Sequence, residues 1–397
     1  MSAPASGRIL TLNRGSATLK AALYDVSRAV EPVLSIKIDR IDFAGTQITI
    51  KDSAGETLLE SSPPRGDSEA TLQLVFSWLE SHKFLGNLLA AGHRLVHGGV
   101  QFQEPVKITA QVLAELEKLT PLDPDHLPAA LAVIRFVTKK LPDVPQIGCF
   151  DTAFHRSMPK VARMYALPRR FFEEGVMRFG FHGLSYEYIL GELRSLDGAL
   201  AEGRVIIAHL GNGASMVAVR NGESVDTSMG FTPLEGLVMG TRSGDVDPGA
   251  LLYLLQHGKM AAADLDECLN KHSGLLGVSG SSEDMRDLLE KSSRDERAAE
   301  AVELFCYRVK KYLGAYAAAL GGVDVVVFTG GIGEKAAPVR GKICEGLEFL
   351  GIQLDPQRNQ RNENVISSAS SRVKVRVIET NEDLTIVRHV LRQIGRS

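Results

Sequence analysis

At 397 residues the chain exceeds the roughly 250–300 residues at which a single hydrophobic core stops growing, so we expect two domains. Its charged fraction of 23% and formal net charge of -3 exclude a strongly basic nucleic-acid-binding protein and give no attraction to an anionic membrane. The opening residues, MSAPASGR, lack the basic and apolar regions of a signal peptide, and the apolar stretch at residues 301–320 is broken by two lysines. The sequence therefore predicts a cytoplasmic protein with neither nucleic acid nor membrane as a partner.

The chain opens with a predicted strand, a turn of small polar residues and a second strand. In RILTLNRGSATLKAALYD, the apolar residues predict strands at 9–12 and 19–23 on either side of a Gly/Ser/Thr turn. The same pattern returns in RVIIAHLGNGASMVAVRNGESVD, with strands at 205–210 and 216–219 and an Asn-Gly hairpin signal at 221–222. Two copies, one opening each half, predict a duplicated α/β domain whose two phosphate-binding turns face one cleft.

A further strand and a long helix follow in the second half. VDVVVFTGGIGEK, residues 323–335, predicts a strand that ends in glycines, which let backbone amides approach a ligand before a helix begins. Residues 295–320 predict a helix whose apolar face packs in the core. The residues on that face are Val302, Phe305, Val309, Leu313, Tyr316 and Leu320.

The domain boundary is predicted in PQIGCFDTAFH, where an apolar run ends at Asp151. The helical pattern of residues 384–394 could return the chain to the first domain. The polar segments 61–67 and 367–372 are too short to be linkers, so we interpret them as surface loops.

Four cationic or potentially cationic residues lie beside glycines in irregular segments. They are Arg94 and His97 in AGHRLVHGG, His182 in RFGFHGLS and Arg242 in MGTRSGDVDPG. A guanidinium fork matches carboxylate and phosphate oxygens, and glycines let a bulky phosphate approach the main chain. A histidine beside apolar residues can equally be a hydrogen-bonded core residue, so that alternative stays open for each one. Together the four predict a site for a phosphoryl or carboxylate group.

Carboxylates follow two predicted strands, with Asp151 after PQIGCF and Glu382 after VRVIET. Ligand sites in open α/β sheets gather at such strand ends. With Asn13 these acids could hold magnesium, which takes a few oxygen ligands plus waters and nucleotide phosphates, or they could cap the helices that follow. The sequence has no Walker loop, so a phosphate enzyme would use hairpin turns, as in the nucleotide-binding fold of actin, hexokinase and the heat-shock chaperone ATPases.

Motifs along nearly the whole chain carry a family resemblance: NRGSATLK, GHRLVHGG, FDTAFH, RFGFHGLS, AHLGNGAS, MGFTPLEGLVMGTRSGDVDPG, FTGGIGEK and TNEDL. On these motifs the chain resembles the acetate kinases, members of the superfamily of acetate and sugar kinases, heat-shock chaperone ATPases and actin. The resemblance implies a duplicated ribonuclease H-like (actin-type ATPase) α/β fold with two domains and an interdomain cleft. Residues 1–151 plus 383–397 would form the N-terminal domain, closed by the C-terminal helix. Residues 152–382 would form the C-terminal domain and carry most nucleotide contacts.

The resemblance also implies a reaction. It is the reversible, direct in-line transfer of a phosphoryl group from ATP to acetate, which gives acetyl phosphate and ADP. Arg94 and Arg242 would hold acetate and the migrating group. His182 would hydrogen-bond that group, and Asp151 would support the arginine and substrate arrangement.

Further binding residues follow from the same resemblance. Asn13 and Glu382 would organise Mg²⁺, with Mn²⁺ as a possible substitute. The acyl pocket would be walled by Val96, Leu122, Phe181 and Pro233. The nucleotide would contact Lys20, His209, Leu210, Gly211, Asn212, Gly213, Asp284, Met285, Arg286, Gly330, Gly331, Ile332 and Gly333. The expected assembly is a homodimer.

Four positions depart from the pattern that is usual in the family. Ala17 lies in a turn that reads Ser-Ala-Thr instead of three serines. Asp123 and Tyr186 stand where many members carry histidine, and Lys335 stands in for a common asparagine. These changes leave the arginines and carboxylates intact, so we expect them to affect substrate fit and rate more than reaction class.

Three alternatives remain open from sequence. A propionate or other short-chain carboxylate kinase differs from an acetate kinase by as little as one methylene, which a pocket discriminates by only about 1–3 kcal/mol. A non-catalytic nucleotide-binding protein would not need the acyl-site arginines. A sugar or polyol kinase would need an aspartate base and a polar pocket, whereas the residues predicted to wall the pocket, such as Val96 and Phe181, are apolar.

Overall fold

The computed structural model describes residues 7–15, 17–63 and 67–396. The strands are β1 (Arg8–Arg14), β2 (Thr18–Asp25), β3 (Glu31–Asp39), β4 (Gln47–Asp52), β5 (Thr57–Ser61), β6 (Leu88–Leu95), β7 (Val106–Lys107), β8 (Gln146–Phe150), β9 (Arg204–Leu210), β10 (Ala214–Arg220), β11 (Glu223–Thr227), β12 (Val325–Thr329) and β13 (Lys374–Val377). The helices are α1 (Ser68–Ser81), α2 (Ala110–Lys118), α3 (Leu127–Lys140), α4 (Lys160–Arg163), α5 (Arg169–Glu173), α6 (Gly183–Asp197), α7 (Pro248–Gln256), α8 (Ala262–Lys271), α9 (Gly274–Ser279), α10 (Met285–Lys291), α11 (Glu296–Leu320), α12 (Gly330–Lys335), α13 (Ala337–Cys344), α14 (Pro356–Gln360) and α15 (Glu382–Gln393). Ser16 of the predicted first turn, residues 64–66 of a predicted loop and the first six residues lie outside the described residues.

The first compact unit, Met1–Ala153 with Asn381–Ser397, is built on a mixed sheet. Over its described residues the strand order is β5-β4-β3-β2-β1-β6-β8-β7. β1 is antiparallel to β2 and parallel to β6, which is parallel to β8, so the carboxyl ends of β1, β6 and β8 lie side by side. α15 packs on β6, where a Cβ at Gly92 would lie 2.3 Å from Ile386 Cγ2, so only glycine permits this approach.

The second compact unit, Phe154–Thr380, holds a smaller sheet and the longest helix. α11 begins after Asp295, whose carboxylate accepts the N–H groups of Arg297 and Ala298, and it ends before Gly321 at a φ of 70°. All six apolar residues predicted for its core face are buried, which confirms that prediction. Among the described residues, neither this helix nor any other is long and apolar enough to cross a bilayer.

The two sheets share one core topology. In the described part of the second unit the order is β11-β10-β9-β12-β13, with β9 antiparallel to β10 and parallel to β12. This order and these directions match β3-β2-β1-β6-β8 of the first unit. The match confirms the predicted internal repeat and the duplicated α/β fold.

The predicted hairpin signal lies at the turn between β10 and β11. Asn221 and Gly222 connect the two strands with φ values of 55° and 74°. Two successive positive φ values match the right-handed twist of a hairpin, which is why Asn-Gly is favoured there.

Candidate active site

Arg94 and Asp151 form a tight ion pair in the first unit. Arg94 lies near the end of β6, and Asp151 directly follows β8, its parallel neighbour. Nε of Arg94 donates to both carboxylate oxygens at 3.2 Å, and Nη2 donates to Oδ2 at 2.6 Å. The Asp151 side chain is 1% exposed, whereas that of Arg94 is 18% exposed. The carboxylate thus fixes the orientation of the guanidinium while part of the guanidinium stays accessible.

Asn13 and Glu382 complete this cluster. Asn13 lies beside Arg94 in the register of β1 and β6, and Glu382 is the first residue of α15, whose N-cap is Asn381. Nη1 of Arg94 donates to Asn13 Oδ1 at 3.2 Å and lies 3.4 Å from Glu382 Oε2, which also accepts from Asn13 Nδ2 at 3.1 Å. Burial opposes the charge of Arg94, but the attraction of Asp151 and Glu382 outweighs it and raises the pKa of the guanidinium.

The oxygen donors of Asn13 and Glu382 suit a magnesium ion. Magnesium commonly takes one or two protein oxygens and completes its octahedral shell with waters and substrate phosphates. In the part of the chain that the structure describes, no group of three or more His, Cys, Asp or Glu side chains could hold a metal by itself. A magnesium ion at these two residues would therefore need phosphate oxygens as further ligands.

Asp123 adds a further negative charge near Arg94. It follows the turn Thr120–Leu122, is 3% exposed and has its Oδ1 2.8 Å from Nδ1 of His126. Its Oδ2 has no hydrogen-bond partner among the described groups. The charge of Asp123 also helps to raise the pKa of Arg94. This departure from the family pattern therefore increases the negative charge around Arg94.

Lys20 is the nucleotide-binding residue predicted in the first unit. It lies exposed on β2 and lines a cavity of about 420 Å³ together with Lys37, Lys51 and Asp383. Thr11 Oγ1 donates to Asp383 Oδ1 at 2.7 Å, and burial raises the pKa of that carboxyl group. The structure thus places Lys20 near the acid that directly follows Glu382.

His182 lies in the second unit, at the start of α6. Its φ of 58° and ψ of 24° are in the left-handed region, which is uncommon for a residue with a Cβ. Nδ1 lies 2.8 Å from Ser215 Oγ on β10, and the ring stacks on His209 with 4.4 Å between centroids. A Cβ at Gly213 would lie 3.5 Å from Nε2 of His182 and 3.9 Å from Nη1 of Arg242. The structure therefore brings His182 and Arg242 together beside the turn after β9.

Arg242 lies on an irregular segment, residues 230–247, which we call the arginine loop. Its Nη1 donates to the carbonyl oxygen of Pro233 at 3.2 Å. Asp245 anchors the loop, because Oδ1 accepts the Gly236 N–H at 2.9 Å and Oδ2 accepts the Tyr312 hydroxyl at 2.7 Å. Asp247 caps α7. Asp245 thus fixes the loop, and Asp247 lies where the loop ends and α7 begins.

A second anchor of the arginine loop is Glu235. Its Oε2 accepts the Tyr165 hydroxyl at 2.5 Å, and its Oε1 pairs with Arg178. Burial raises the pKa of both Tyr165 and Tyr312, so both hydroxyls remain donors. Sequence reasoning missed these tyrosines. Tyr312 could have been found from the sequence. It lies one turn before Tyr316 on a helix predicted to pack in the core, and its hydroxyl needs a hydrogen-bond partner there.

A cavity of about 470 Å³ in the second unit gathers most of the predicted nucleotide-binding residues of that unit. The predicted residues that line it are Gly211, Asn212, Asp284, Met285, Arg286, Gly331 and Ile332. Sequence reasoning did not assign five further lining residues to the nucleotide: Glu283, Leu289, Lys335, Ala336 and Pro338. Leu289 could have been found, because it lies four residues after Met285 on one face of α10. The remaining predicted residues are His209, Leu210, Gly213, Gly330 and Gly333, which lie on β9, in the turn after it and on α12.

The predicted acyl-pocket residues divide between the two units. Val96 and Leu122 belong to the first unit and are partly buried. Phe181 and Pro233 belong to the second, where Phe181 is fully buried. His97 is buried and its Nδ1 accepts the Gly99 N–H at 2.8 Å, so it orders the glycine-rich bend after β6. The pocket itself stays a prediction.

The sequence and the fold both match known proteins. Residues 8–388 match the acetokinase family. The chain is 46% identical over 392 residues to the acetate kinase of Rhodopseudomonas palustris, covering 97% of this chain and 98% of that protein. The solved acetate kinase of Porphyromonas gingivalis superposes with a TM-score of 0.89 at 39% identity, covering 98% of this chain and 100% of that one. A propionate kinase from Francisella tularensis superposes with a TM-score of 0.91 at 36% identity, covering 96% and 98%. The chain therefore belongs to the acetokinase family, with the actin-type ATPase fold of these carboxyl-group phosphotransferases.

Proposed function

We propose that this protein is an acetate kinase that transfers the γ-phosphoryl group of ATP to acetate, giving acetyl phosphate and ADP, and that also runs the reverse reaction. A carboxylate oxygen of acetate bonds to phosphorus as the bond from phosphorus to the β,γ-bridging oxygen breaks. The bridging oxygen then leaves with ADP. Charge in the transition state spreads over the equatorial oxygens, so the protein contributes positioning and electrostatic stabilisation.

The observation that carries this proposal is the orientation of Arg94 by Asp151. Both oxygens of Asp151 accept from the guanidinium, so this buried acid is engaged as an orienting group. Acetate is already ionised at neutral pH, on a carboxylic acid pKa of about 4–5, so the reaction needs no general base. Arg94 would bind the acetate carboxylate, and Asp151 would fix the direction of its fork.

Arg242 and His182 would act on the migrating phosphoryl group. Nη1 of Arg242 and Nε2 of His182 both lie beside Gly213, a glycine of the predicted phosphate turn. Two hydrogen-bond donors at such a point can stabilise charge on equatorial oxygens. The cavity lined by Asn212, Asp284 and Gly331 supports nucleotide binding in the same unit, because its volume is within the range of ligand sites.

Magnesium would be held at Asn13 and Glu382. When bound, the ion would neutralise phosphate charge and orient the transferring group. Arg94 contacts both residues, so this chain would couple metal binding to the acetate-binding arginine. We expect EDTA to abolish turnover and added Mg²⁺ or Mn²⁺ to restore it.

Propionate is the second candidate acceptor, because relatives of similar identity include both acetate kinases and a propionate kinase. One methylene changes pocket affinity by only about 1–3 kcal/mol, or roughly 10- to 200-fold. Val96, Leu122, Phe181 and Pro233 would set this preference. We propose acetate first, since Val96 and Phe181 favour a small pocket.

Hydroxylamine trapping tests the proposal. The purified protein is incubated with ATP, Mg²⁺ and hydroxylamine, together with acetate, propionate, butyrate or formate. An acyl phosphate gives a hydroxamate, whereas a sugar phosphate or a bound nucleotide does not. We expect hydroxamate in the order acetate, then propionate, then butyrate.

The assay separates the competing functions. Higher kcat/KM for propionate than for acetate would assign a propionate kinase. Nucleotide binding by calorimetry without hydroxamate from any acid would indicate a non-catalytic binding protein. ADP release that needs a sugar would indicate a sugar kinase.

The family resemblance also supports a homodimer that acts in the cytoplasm. On the apolar helix α7, Leu252 and Tyr253 are 55% and 63% exposed, and we propose that they lie in the dimer contact. Light scattering should therefore give twice the 43.0 kDa chain mass. A Tyr253→Asp variant should shift the mass towards the monomer, and a monomeric native protein would contradict the assignment.

A further inference from the structure

A continuous chain of hydrogen bonds connects His182 to Ser215 and Tyr186. Ser215 Oγ on β10 is 2.8 Å from Nδ1 of His182 and also contacts the hydroxyl of Tyr186. Tyr186 lies one helical turn after His182 on α6, and its N–H donates to the carbonyl oxygen of His182 at 3.1 Å. Tyr186 and Ser215 are both 0% exposed. The two buried hydroxyls therefore form a relay that ends on one nitrogen of the partly buried imidazole of His182.

The other nitrogen of His182 faces the predicted phosphate turn. A Cβ at Gly213 would lie 3.5 Å from Nε2 and 3.9 Å from Nη1 of Arg242. Stacking on His209 and the left-handed backbone at His182 fix the ring in this orientation. The tautomer of His182 thus decides whether Nε2 presents a hydrogen or a lone pair beside Arg242.

Proton counting leaves two arrangements for a neutral His182. Ser215 has one hydrogen, so it donates either to Nδ1 of His182 or to the oxygen of Tyr186. In the first arrangement Tyr186 donates to Ser215 and Nε2 of His182 carries the hydrogen. In the second, Nδ1 carries the hydrogen and Nε2 is an acceptor. A phenol is a better donor and a poorer acceptor than an alkyl hydroxyl, which favours the first.

We propose that Tyr186, acting through Ser215, is a positioning residue that holds His182 in the tautomer with hydrogen on Nε2. The functional consequence rests on the proposed phosphoryl transfer: a neutral imidazole would donate Nε2–H to an equatorial phosphoryl oxygen without releasing a proton. An acceptor lone pair at that place would instead repel the oxygen. A tyrosine has one hydroxyl and no second tautomer, so it fixes the direction of the hydrogen bonds through Ser215. The histidine usual in the family has two tautomers and would not fix that direction.

Nitrogen NMR of the full-length protein tests the tautomer directly. Long-range proton–nitrogen correlations of histidine-labelled protein distinguish a protonated from an unprotonated ring nitrogen, and a His182→Gln variant identifies the signals of His182. We expect a protonated Nε2 and an unprotonated Nδ1 in the native protein. In Tyr186→Phe, which keeps the ring and removes only the hydroxyl, we expect a mixture of tautomers. Ser215→Ala should give the same result.

Kinetics provide the second readout. Tyr186→Phe should lower kcat by about tenfold, the equivalent of one hydrogen bond, with KM for acetate within about twofold. Tyr188→Phe on the same helix is the matched control and should change neither quantity. A merely structural role of Tyr186 would lower stability without altering the tautomer.

The outcomes separate this inference from the proposed function. Protonation of Nδ1 in the native protein, or an unchanged His182 spectrum in both relay variants, would overturn the inference even if acetate is phosphorylated. Absence of hydroxamate from the native protein would overturn the proposed function, while the spectra would still decide the tautomer.

Discussion

Asp151 acts on Arg94 through geometry as much as through charge. The carboxylate takes three hydrogen bonds from one guanidinium, and its side chain is almost wholly buried. An amide at this position keeps the shape but turns an N–H group towards another donor. Replacing Asp151 by asparagine should therefore impair the protein although the side-chain volume is kept, because Arg94 would lose its negatively charged partner.

We predict that Asp151→Asn lowers kcat/KM for acetate by roughly 10- to 150-fold, the equivalent of a hydrogen bond to a charged group at about 1.5–3 kcal/mol. Steady-state hydroxamate kinetics would measure this effect, with Asp355→Asn at the partly exposed N-cap of α14 as the control. Because acetate needs no base, any acid limb of the pH profile should persist in the variant. Loss of that limb would show that Asp151 is a proton acceptor instead.

Arg242 should be essential for turnover and dispensable for folding. An arginine that stabilises a phosphoryl transition state contributes on the order of 10³–10⁵ in rate. We therefore expect Arg242→Ala to lose at least about 1,000-fold in kcat and to keep the native circular dichroism spectrum and urea midpoint. Arg194→Ala, which removes a surface arginine paired with Glu202, should keep normal kcat. Near-normal turnover of Arg242→Ala would show that Arg242 does not act in the reaction.

At the scale of elements, the arginine loop depends on side chains from elsewhere in the chain. Its residues form neither helix nor strand, so their positions are set by Asp245, Glu235 and the tyrosines that bind them. α11 thus has two functions. One face packs in the core, and Tyr312 reaches the loop that carries Arg242.

We predict that Tyr312→Phe destabilises the protein by about 1 kcal/mol, because the partly buried carboxylate of Asp245 loses a hydrogen-bond donor. The same change should lower kcat several-fold, since the arginine loop becomes less ordered. Urea unfolding and hydroxamate kinetics would measure both effects. Tyr307→Phe, at an exposed position of the same helix, is the control, and equal behaviour of the two variants would contradict the anchoring role.

Sequence reasoning succeeded for this protein where a physical rule is local. The period of α11, the Asn-Gly hairpin and the apolar strands each depend on neighbouring residues, and the structure contains all of them. The support of the arginine loop is different, because Tyr165 and Glu235 are 70 positions apart and no local pattern connects them. The burial of Asp123, and the lack of a hydrogen-bond partner for its Oδ2 among the described residues, could not be predicted either. The sequence shows which residue stands at this position but not its surroundings.

At the scale of the whole molecule, the repeated sheet places the candidate site residues at equivalent strand ends in both units. The first unit presents Asn13, Arg94 and Asp151 at or just after the ends of β1, β6 and β8. In the second unit, the turn after β9 and the glycines after β12 occupy the corresponding places. Parallel strands bring their carboxyl ends to one edge of the sheet. The same topology therefore positions Arg94 and its partner Asp151 in the first unit and the glycine-rich turns in the second.

In each unit, a buried histidine among the described residues has a strongly lowered pKa. Burial lowers the pKa of His93 and of His155 from 6.5 to about 4. His93 Nε2 lies 2.7 Å from Gln146 Oε1, and His155 lies between Ser224 and the carbonyl oxygen of Phe181. Both rings are therefore neutral in the folded protein above pH 4 and acquire a proton on unfolding below pH 6.5.

This difference predicts the direction in which stability depends on pH. Above pH 6.5 both states carry neutral rings, and neither histidine contributes a slope. Between pH 6.5 and about 4 the unfolded state binds more protons, so stability falls as pH falls, by roughly 1.4 kcal/mol per pH unit for each histidine.

His155→Gln should be less stable at neutral pH, because it disturbs the contacts of the ring, yet its urea midpoint should fall less steeply below pH 6.5. His272→Gln, at an exposed position, should keep the native slope. Equal slopes for all three proteins would mean that His155 titrates normally in the folded state and that its burial does not exclude the charged form.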